Sequence, residues 1–318
     1  MNQLKEYSAY VEAQTLKFQF PDQPANLYDP LRYFLTLGGK RMRPILTLMS
    51  GQLFDVSKET ALPAALAIEL FHNFSLIHDD IMDQAPVRRG QPTVHEKWDA
   101  NHGILSGDVL LVKAYQQLAH YPPQQLSELF NRFNQTAIEV CEGQQMDMDF
   151  EKRTDVSEAE YIEMIRLKTS VLLGCALEFG AILGNQGTVE RAHLYEFGVD
   201  LGIAFQIQDD LLDLYADPLK FGKQVGGDIL SNKKTLLLLT ALNTKDTRVQ
   251  SLLEMEPNAA KIETAKALFL ELKVVAKVEA EMNLYYQKAM TALSQLSMEK
   301  SKVLPLIELA DFLLNREH

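Results

Sequence analysis

The sequence predicts an all-α protein, and three observations carry that prediction. None of the twelve prolines falls between Pro123 and Pro218, so a long stretch lacks the residue that breaks helices. Strand signals are scarce: few runs alternate apolar and polar residues, and no Asn-Gly hairpin turn is present. Apolar residues instead recur at helical spacing over long segments.

Five segments read as helices: 61–83, 126–149, 158–183, 189–215 and 262–296. Turn-forming clusters divide them: PDQPAN at 21–26, HYPPQQ at 120–125, GNQG at 184–187, ADPLKFGKQVGGD at 216–228 and EMEPNA at 254–259. The first helix carries LAIELFHNFSLIH and closes on an acid cluster, DDIMD. The fourth carries VDLGIAFQIQ and closes on a second, DDLLD. Residues 169–184 hold a single charge, Glu178, and are too short for a membrane span, so they read as a buried core helix.

The chain has 318 residues, 47% of them hydrophobic and 23% charged, which suffices for one large core. No linker-like or low-complexity tract interrupts it, and a single domain over 1–318 is expected. The net charge of −12 argues against nucleic acid and anionic membrane as partners. The two cysteines, Cys141 and Cys175, sit in apolar helical patterns without metal-like spacing and read as buried free thiols. The N-terminal residues MNQLKEYSAY contain no apolar stretch, so a cytoplasmic protein without a secretory signal is expected.

The acid clusters carry the chemistry. Residues four apart on a helix share a face, so Asp79 and Asp83 point the same way, as do Asp209 and Asp213. Gathering like charges is costly unless a cation neutralises them, and aspartate is a poor helix-interior residue. All candidate donors are hard oxygens, which selects Mg²⁺ or Mn²⁺ over zinc. Mg²⁺ takes a few carboxylates together with substrate phosphates. Two facing helices ending in acid would therefore hold a diphosphate through bridging ions. A solvated acidic helix end is the bland alternative for either motif alone.

Basic residues accompany the acids. Gly38-Gly39-Lys40-Arg41-Met42-Arg43-Pro44 is a cationic turn whose glycines let backbone approach a ligand. Arg88 and Arg89 follow the first cluster by five residues. His72 lies two helical turns before Asp79, near the same face. Lys168, Thr169, Gln206, Lys223 and Lys233 complete the set, with Lys223 in a glycine-rich loop suited to a mobile lid. Any one of these alone would read as a surface or core residue.

Together these motifs resemble the trans-type polyprenyl diphosphate synthases, the short-chain farnesyl and geranylgeranyl diphosphate synthases. The resemblance spans nearly the whole chain, through GGKRMRP, HDDIMD, RRGQPTVHEKW, SGDVLL, EGQQMDMDF, KTS, FQIQDDLLD and GKQVGGDILSNKKT. It implies an isoprenoid synthase helical bundle around a deep central cavity, a homodimer, and Mg²⁺ as cofactor, three ions with Mn²⁺ as the substitute. It implies that Lys40, Arg43, His72 and Arg89 bind isopentenyl diphosphate, and that Arg88, Lys168, Lys223 and Lys233 bind the allylic diphosphate. Asp79, Asp83 and Asp209 would be direct metal ligands, with Asp80, Asp210 and Asp213 as supporting acids of the same metal sites. Gln144 and Asp147 would lie beside the metals, and Thr169 and Gln206 near the reacting carbon. His95, Trp98 and Asp108 also match, with structural roles expected. Arg316 would close over the cavity.

The reaction implied is ionisation of an allylic diphosphate, attack by isopentenyl diphosphate, and proton loss to pyrophosphate. Phe74, Phe71 and Ser75, below Asp79 on its helix, are the expected chain-length residues, with a C20 product favoured over C15. Ordinary core packing is the alternative for both aromatics. A class I terpene cyclase would carry one acid cluster and lack the basic isopentenyl site, and a non-catalytic regulatory subunit would tend to lose the acids. This chain keeps all of them.

Overall fold

A computed structural model describes residues 2–216 and 226–314 of the chain. The elements run α1 (Asn2–Leu16), α2 (Ala25–Thr36), α3 (Met42–Leu53), α4 (Lys58–Met82), α5 (Val94–Lys97), α6 (Ala100–Leu118), α7 (Pro123–Lys152), α8 (Glu158–Ile165), a π-helical turn (Arg166–Ser170), α9 (Val171–Leu183) and α10 (Thr188–Tyr215). Then come α11 (Gly227–Leu230), α12 (Leu236–Asn243), α13 (Thr247–Glu254), α14 (Ala259–Glu271), α15 (Val274–Ser294) and α16 (Lys300–Leu314). Among the described residues the only strands are two-residue β1 (Val87–Arg88) and β2 (Gln91–Pro92), paired antiparallel. The all-α expectation is met.

The chain forms two compact units. One comprises the described residues up to Asn134 with Cys175–Leu194 and Met298–Leu306. Its central element is α4, started by Ser57, whose side chain accepts from the Thr60 amide. By length and composition α4 could cross a membrane, but its apolar window is mostly buried within the protein. It packs on α6 at two glycines: a Cβ at Gly107 would lie 2.4 Å from the His78 ring, and one at Gly103 would lie 2.7 Å from Ile81. Phe71 of α4, Phe133, Tyr115 and Phe179 form an aromatic core by edge and tilted contacts.

The other unit comprises Gln135–Gly174, the described residues of Tyr195–Ser297, and the chain from Ile307. Its core gathers Phe150, Tyr161, Ile203, Ile207, Leu214, Leu236 to Leu239, Phe269 and Val278. α8 opens with a capping box in which Ser157 and Glu160 satisfy each other's amides. The start of α9 and the body of α10 meet through small residues: a Cβ at Gly198 would lie 2.7 Å from Gly174, and one at Gly202 would lie 2.8 Å from Ser170.

Three expectations are corrected. The predicted helix 158–183 carries a π turn at Arg166–Ser170, the one-residue irregularity that apolar periodicity does not register. The predicted helix 262–296 is two helices, because Lys273 adopts a left-handed backbone (φ 56°) between α14 and α15. Cys175 is buried as expected, but Cys141 is exposed, on the outward side of α7 beside exposed Glu142.

Candidate active site

In the first unit, the cationic turn 38–44 is shaped by its backbone. Gly38 (φ 74°), Gly39 (φ 138°) and Arg41 (φ 48°) all take left-handed conformations, which only glycine adopts without strain. Arg41 offsets that strain by anchorage. Its buried guanidinium pairs with Glu69 of α4, binds Glu12 at 2.9 Å, and donates to the Leu35 carbonyl at 2.9 Å. Glu69 also accepts from Asn73 at 2.9 Å. Arg41 is therefore the strut of the turn, a role its sequence position between two candidate ligands did not reveal.

The strut leaves Lys40 exposed and aims Arg43 at α4. Arg43 Nη1 lies 3.1 Å from His72 Nε2. Burial pushes the Arg43 guanidinium down to about 10, against the opposing pull of Glu69, so it stays charged at neutral pH. Burial, then the charges of Arg43, Arg89, Arg88 and Arg41, hold His72 well below the usual imidazole range. His72 is thus neutral, its Nε2 accepting from Arg43 and leaving Nδ1–H to donate. Arg89 donates to the Gly38 carbonyl. Its guanidinium lies under Gly39, where a Cβ would come within 2.8 Å. The structure therefore brings Arg43, His72 and Arg89 to one place.

The first acid cluster lies two turns on. Asp80 is buried and Arg88 grips it, with Nε 2.8 and 2.9 Å from its two oxygens. Arg88 Nη2 reaches Asp79 Oδ2 at 3.4 Å. Burial raises the Asp80 carboxyl and the Arg88 charge opposes the rise. Asp79 is half-buried and Asp83 exposed, whereas Asp80 is buried against Arg88. Below them, Phe71 is fully buried in the aromatic core, Phe74 is half-buried with its ring 4.7 Å from that of His78, and the Ser75 hydroxyl donates to the His72 carbonyl at 2.8 Å. Trp98 packs edge-on to Tyr33, which fits its expected structural role.

In the second unit, the π turn presents Lys168 and Thr169. It comes so close to α7 that a Cβ at Gly143 would lie 2.2 Å from the Lys168 amide nitrogen. Lys168 Nζ binds Asp147 Oδ2 at 2.6 Å, on the face of α7 that also bears Gln144. On α10, Gln206 donates to Asp210 Oδ1 at 3.3 Å. Asp210 is buried and accepts from the Tyr161 hydroxyl. Burial pushes its carboxyl up to about 7, with the Tyr161 hydrogen bond opposing. Asp213 is raised too, first by burial and then by the Asp228 charge. It is tied in place: the Asp228 amide donates to Asp213 Oδ2 at 3.1 Å, and the Gly226 amide to the Asp213 carbonyl at 2.6 Å. Asp209 is half-buried and Lys233 exposed. Lys223 and Arg316 lie outside the described residues.

Each cluster thus repeats one design. The second aspartate, Asp80 or Asp210, is buried against a protein partner, and the first, Asp79 or Asp209, is half-buried. Among the described residues no group of three or more His, Cys, Asp or Glu side chains forms a ready metal cage. The donors in both clusters are hard carboxylate oxygens, a set that suits Mg²⁺ better than zinc. Tyr161, Arg41, Glu69 and Asp228 are the supporting residues that sequence reasoning missed, because their roles depend on contacts between distant segments.

The polyprenyl synthetase family model matches residues 24–271. A geranylgeranyl diphosphate synthase of Methanosarcina mazei is 36% identical over 320 residues, covering 100% of this chain and 98% of its own. A crystal structure of a geranylgeranyl pyrophosphate synthase superposes with a TM-score of 0.94 at 42% identity, covering 100% of both chains. A polyprenyl synthase of Caulobacter crescentus, solved with calcium and isoprenyl diphosphate, superposes with a TM-score of 0.86 at 26% identity, covering 100% of this chain and 98% of its own.

Proposed function

The chain belongs to the polyprenyl synthetase family, and from that premise we propose how its residues divide the work. It is a prenyltransferase that condenses isopentenyl diphosphate with allylic diphosphates to a short-chain prenyl diphosphate and pyrophosphate. The observation that carries the site assignment is the grouping of Arg43, neutral His72 and Arg89 two helical turns from an acid motif.

Lys40, Arg43, His72 and Arg89 bind the diphosphate of isopentenyl diphosphate. Arg43 and Arg89 supply charge, and neutral His72 donates one hydrogen bond without adding a cation to a crowded site. Arg88, Lys168, Lys223 and Lys233 bind the allylic diphosphate. Asp79, Asp83 and Asp209 would hold Mg²⁺, three ions in all and replaceable by Mn²⁺, with Asp80, Asp210 and Asp213 supporting. When bound, the metal neutralises charge growing on the departing pyrophosphate. Thr169, on the π turn, and Gln206 stand beside the reacting carbon and stabilise the allylic cation with their oxygens, while the Lys168 ammonium orients the leaving diphosphate. Proton loss to pyrophosphate needs no protein base, which suits a chain whose motifs include no nucleophile–base pair.

Geranylgeranyl synthases among the relatives support a C20 product, with Phe74, Phe71 and Ser75 setting its length. The family match runs through both units, which supports one catalytic domain over 1–318. A homodimer in the cytoplasm is the working state. Apolar Leu105 and Val112, 60% and 56% exposed on one side of α6, support an association surface there. The test is mass spectrometry of products made by the purified chain from labelled isopentenyl diphosphate and dimethylallyl, geranyl or farnesyl diphosphate. A C20 diphosphate is expected. A hydrocarbon released from an allylic substrate alone would establish a cyclase instead.

A further inference from the structure

Lysine is rarely buried without an acid beside it. Lys261, in the first turn of α14, is 1% exposed; the charge of Glu256 acts on it, but the hydrogen bonds of its ammonium go to neutral oxygens. These are Asn232 Oδ1 at 2.8 Å, the Met255 carbonyl at 3.3 Å and the Leu253 carbonyl at 3.5 Å. The two carbonyls belong to the end of α13, where a cation meets the negative pole of the helix. Asn232 completes the knot by donating from Nδ2 to the Leu253 carbonyl at 3.1 Å. It does so from a left-handed backbone (φ 54°).

The knot adjoins the chemistry. Asn232 immediately precedes Lys233, whose amide donates to the Asp228 carbonyl at 2.9 Å. The Asp228 amide in turn holds Asp213 Oδ2 at 3.1 Å. At the other end of the same loop, Gly226 sits under Ile262, the residue after Lys261, where a Cβ would come within 2.7 Å of Ile262. Lys261 and its neighbour therefore brace both ends of the segment 226–233.

We propose that Lys261 is a positioning residue for the allylic diphosphate: through Asn232 it fixes the backbone that presents Lys233 and orients Asp213. Its charge serves geometry, and it touches no substrate. The inference rests on the reading of Lys233 as an allylic diphosphate ligand.

The test compares steady-state kinetics and melting of the full chain with those of Lys261→Met, Asn232→Gly, Asn232→Asp and Lys233→Ala. Lys261→Met raises the allylic KM about tenfold, the scale of a small misplacement, and leaves the isopentenyl diphosphate KM within about twofold. Asn232→Gly keeps the left-handed backbone, removes the acceptor and has the same effect, so it decides the matter if Lys261→Met fails to fold. Asn232→Asp keeps an acceptor for the ammonium but loses the donor to the Leu253 carbonyl, and its allylic KM rises less than that of Asn232→Gly. A normal allylic KM in Asn232→Gly, or equal rises in both KM values, overturns the inference while a raised allylic KM in Lys233→Ala leaves the site assignment standing. A normal allylic KM in Lys233→Ala removes the assignment and the inference together.

Discussion

Replacing Gly143 by alanine sets two effects of opposite sign against each other. Gly143 lies inside α7, where alanine favours the helix by about 1 kcal/mol. The added Cβ, however, would lie 2.2 Å from the Lys168 nitrogen and 2.7 Å from Leu167 C and Lys168 Cα. All three atoms are backbone, so no rotamer change relieves the clash. Ordinary contact begins at 3.4 Å, so the π turn must retreat by about 1.2 Å. Overpacking of this kind costs roughly 1–3 kcal/mol, and a backbone clash sits at the upper end. The net loss is about 2 kcal/mol, or a fall in Tm of about 3 °C for a chain of this length. The same retreat displaces Lys168, its Asp147 partner and Thr169, and a shift of about 1 Å lowers turnover by up to about 10²-fold. Thermal melting by circular dichroism and kcat from labelled isopentenyl diphosphate give the two readouts. A higher Tm with unchanged kcat would refute the steric argument and leave helix propensity in charge.

Glu69→Ala strands buried Arg41 and destabilises by about 3–5 kcal/mol in chemical denaturation; a loss below about 1 kcal/mol would show that Glu12 alone holds the turn. Phe74→Ala lengthens the product at near-wild-type stability, whereas Phe71→Ala, from the fully buried ring, costs about 3–5 kcal/mol. An unchanged product from Phe74→Ala, read by mass spectrometry, would place that ring in the core only. Asp200 on α10 is pushed up to about 6 by burial, against an ordinary 3.8. Its folded form holds the proton more tightly than the unfolded chain, so its contribution to stability is lost as pH rises from about 4 to 6. Asp200→Asn therefore raises Tm at pH 8, by about 2 °C, and not at pH 3.5; equal gains at both would exclude ionisation as the cause.

Helices and motifs were legible because both depend on local spacing. The pattern in 61–83 foretold α4 to within three residues at its start and one at its end. What stayed hidden depends on contacts between distant segments or on single backbone angles. The π turn at Arg166–Ser170 changes no residue type, and the left-handed Lys273 that splits 262–296 has no glycine to announce it. Arg41 reads in sequence as one more cation of a basic turn, yet its partners Glu12 and Glu69 make it structural. The resemblance sets Asp80 and Asp210 apart as supporting acids, but their partners Arg88 and Tyr161 are visible only in the fold.

Titration calorimetry of a non-ionisable allylic diphosphate analogue, with and without Mg²⁺, tests the division of labour between the acid motifs. Wild-type protein is expected to bind the analogue only with Mg²⁺ present, and both Asp79→Ala and Asp209→Ala are expected to lose that binding while keeping the wild-type melting profile. Wild-type affinity and Mg²⁺ dependence in either variant would contradict the proposal that its motif binds the diphosphate through metal.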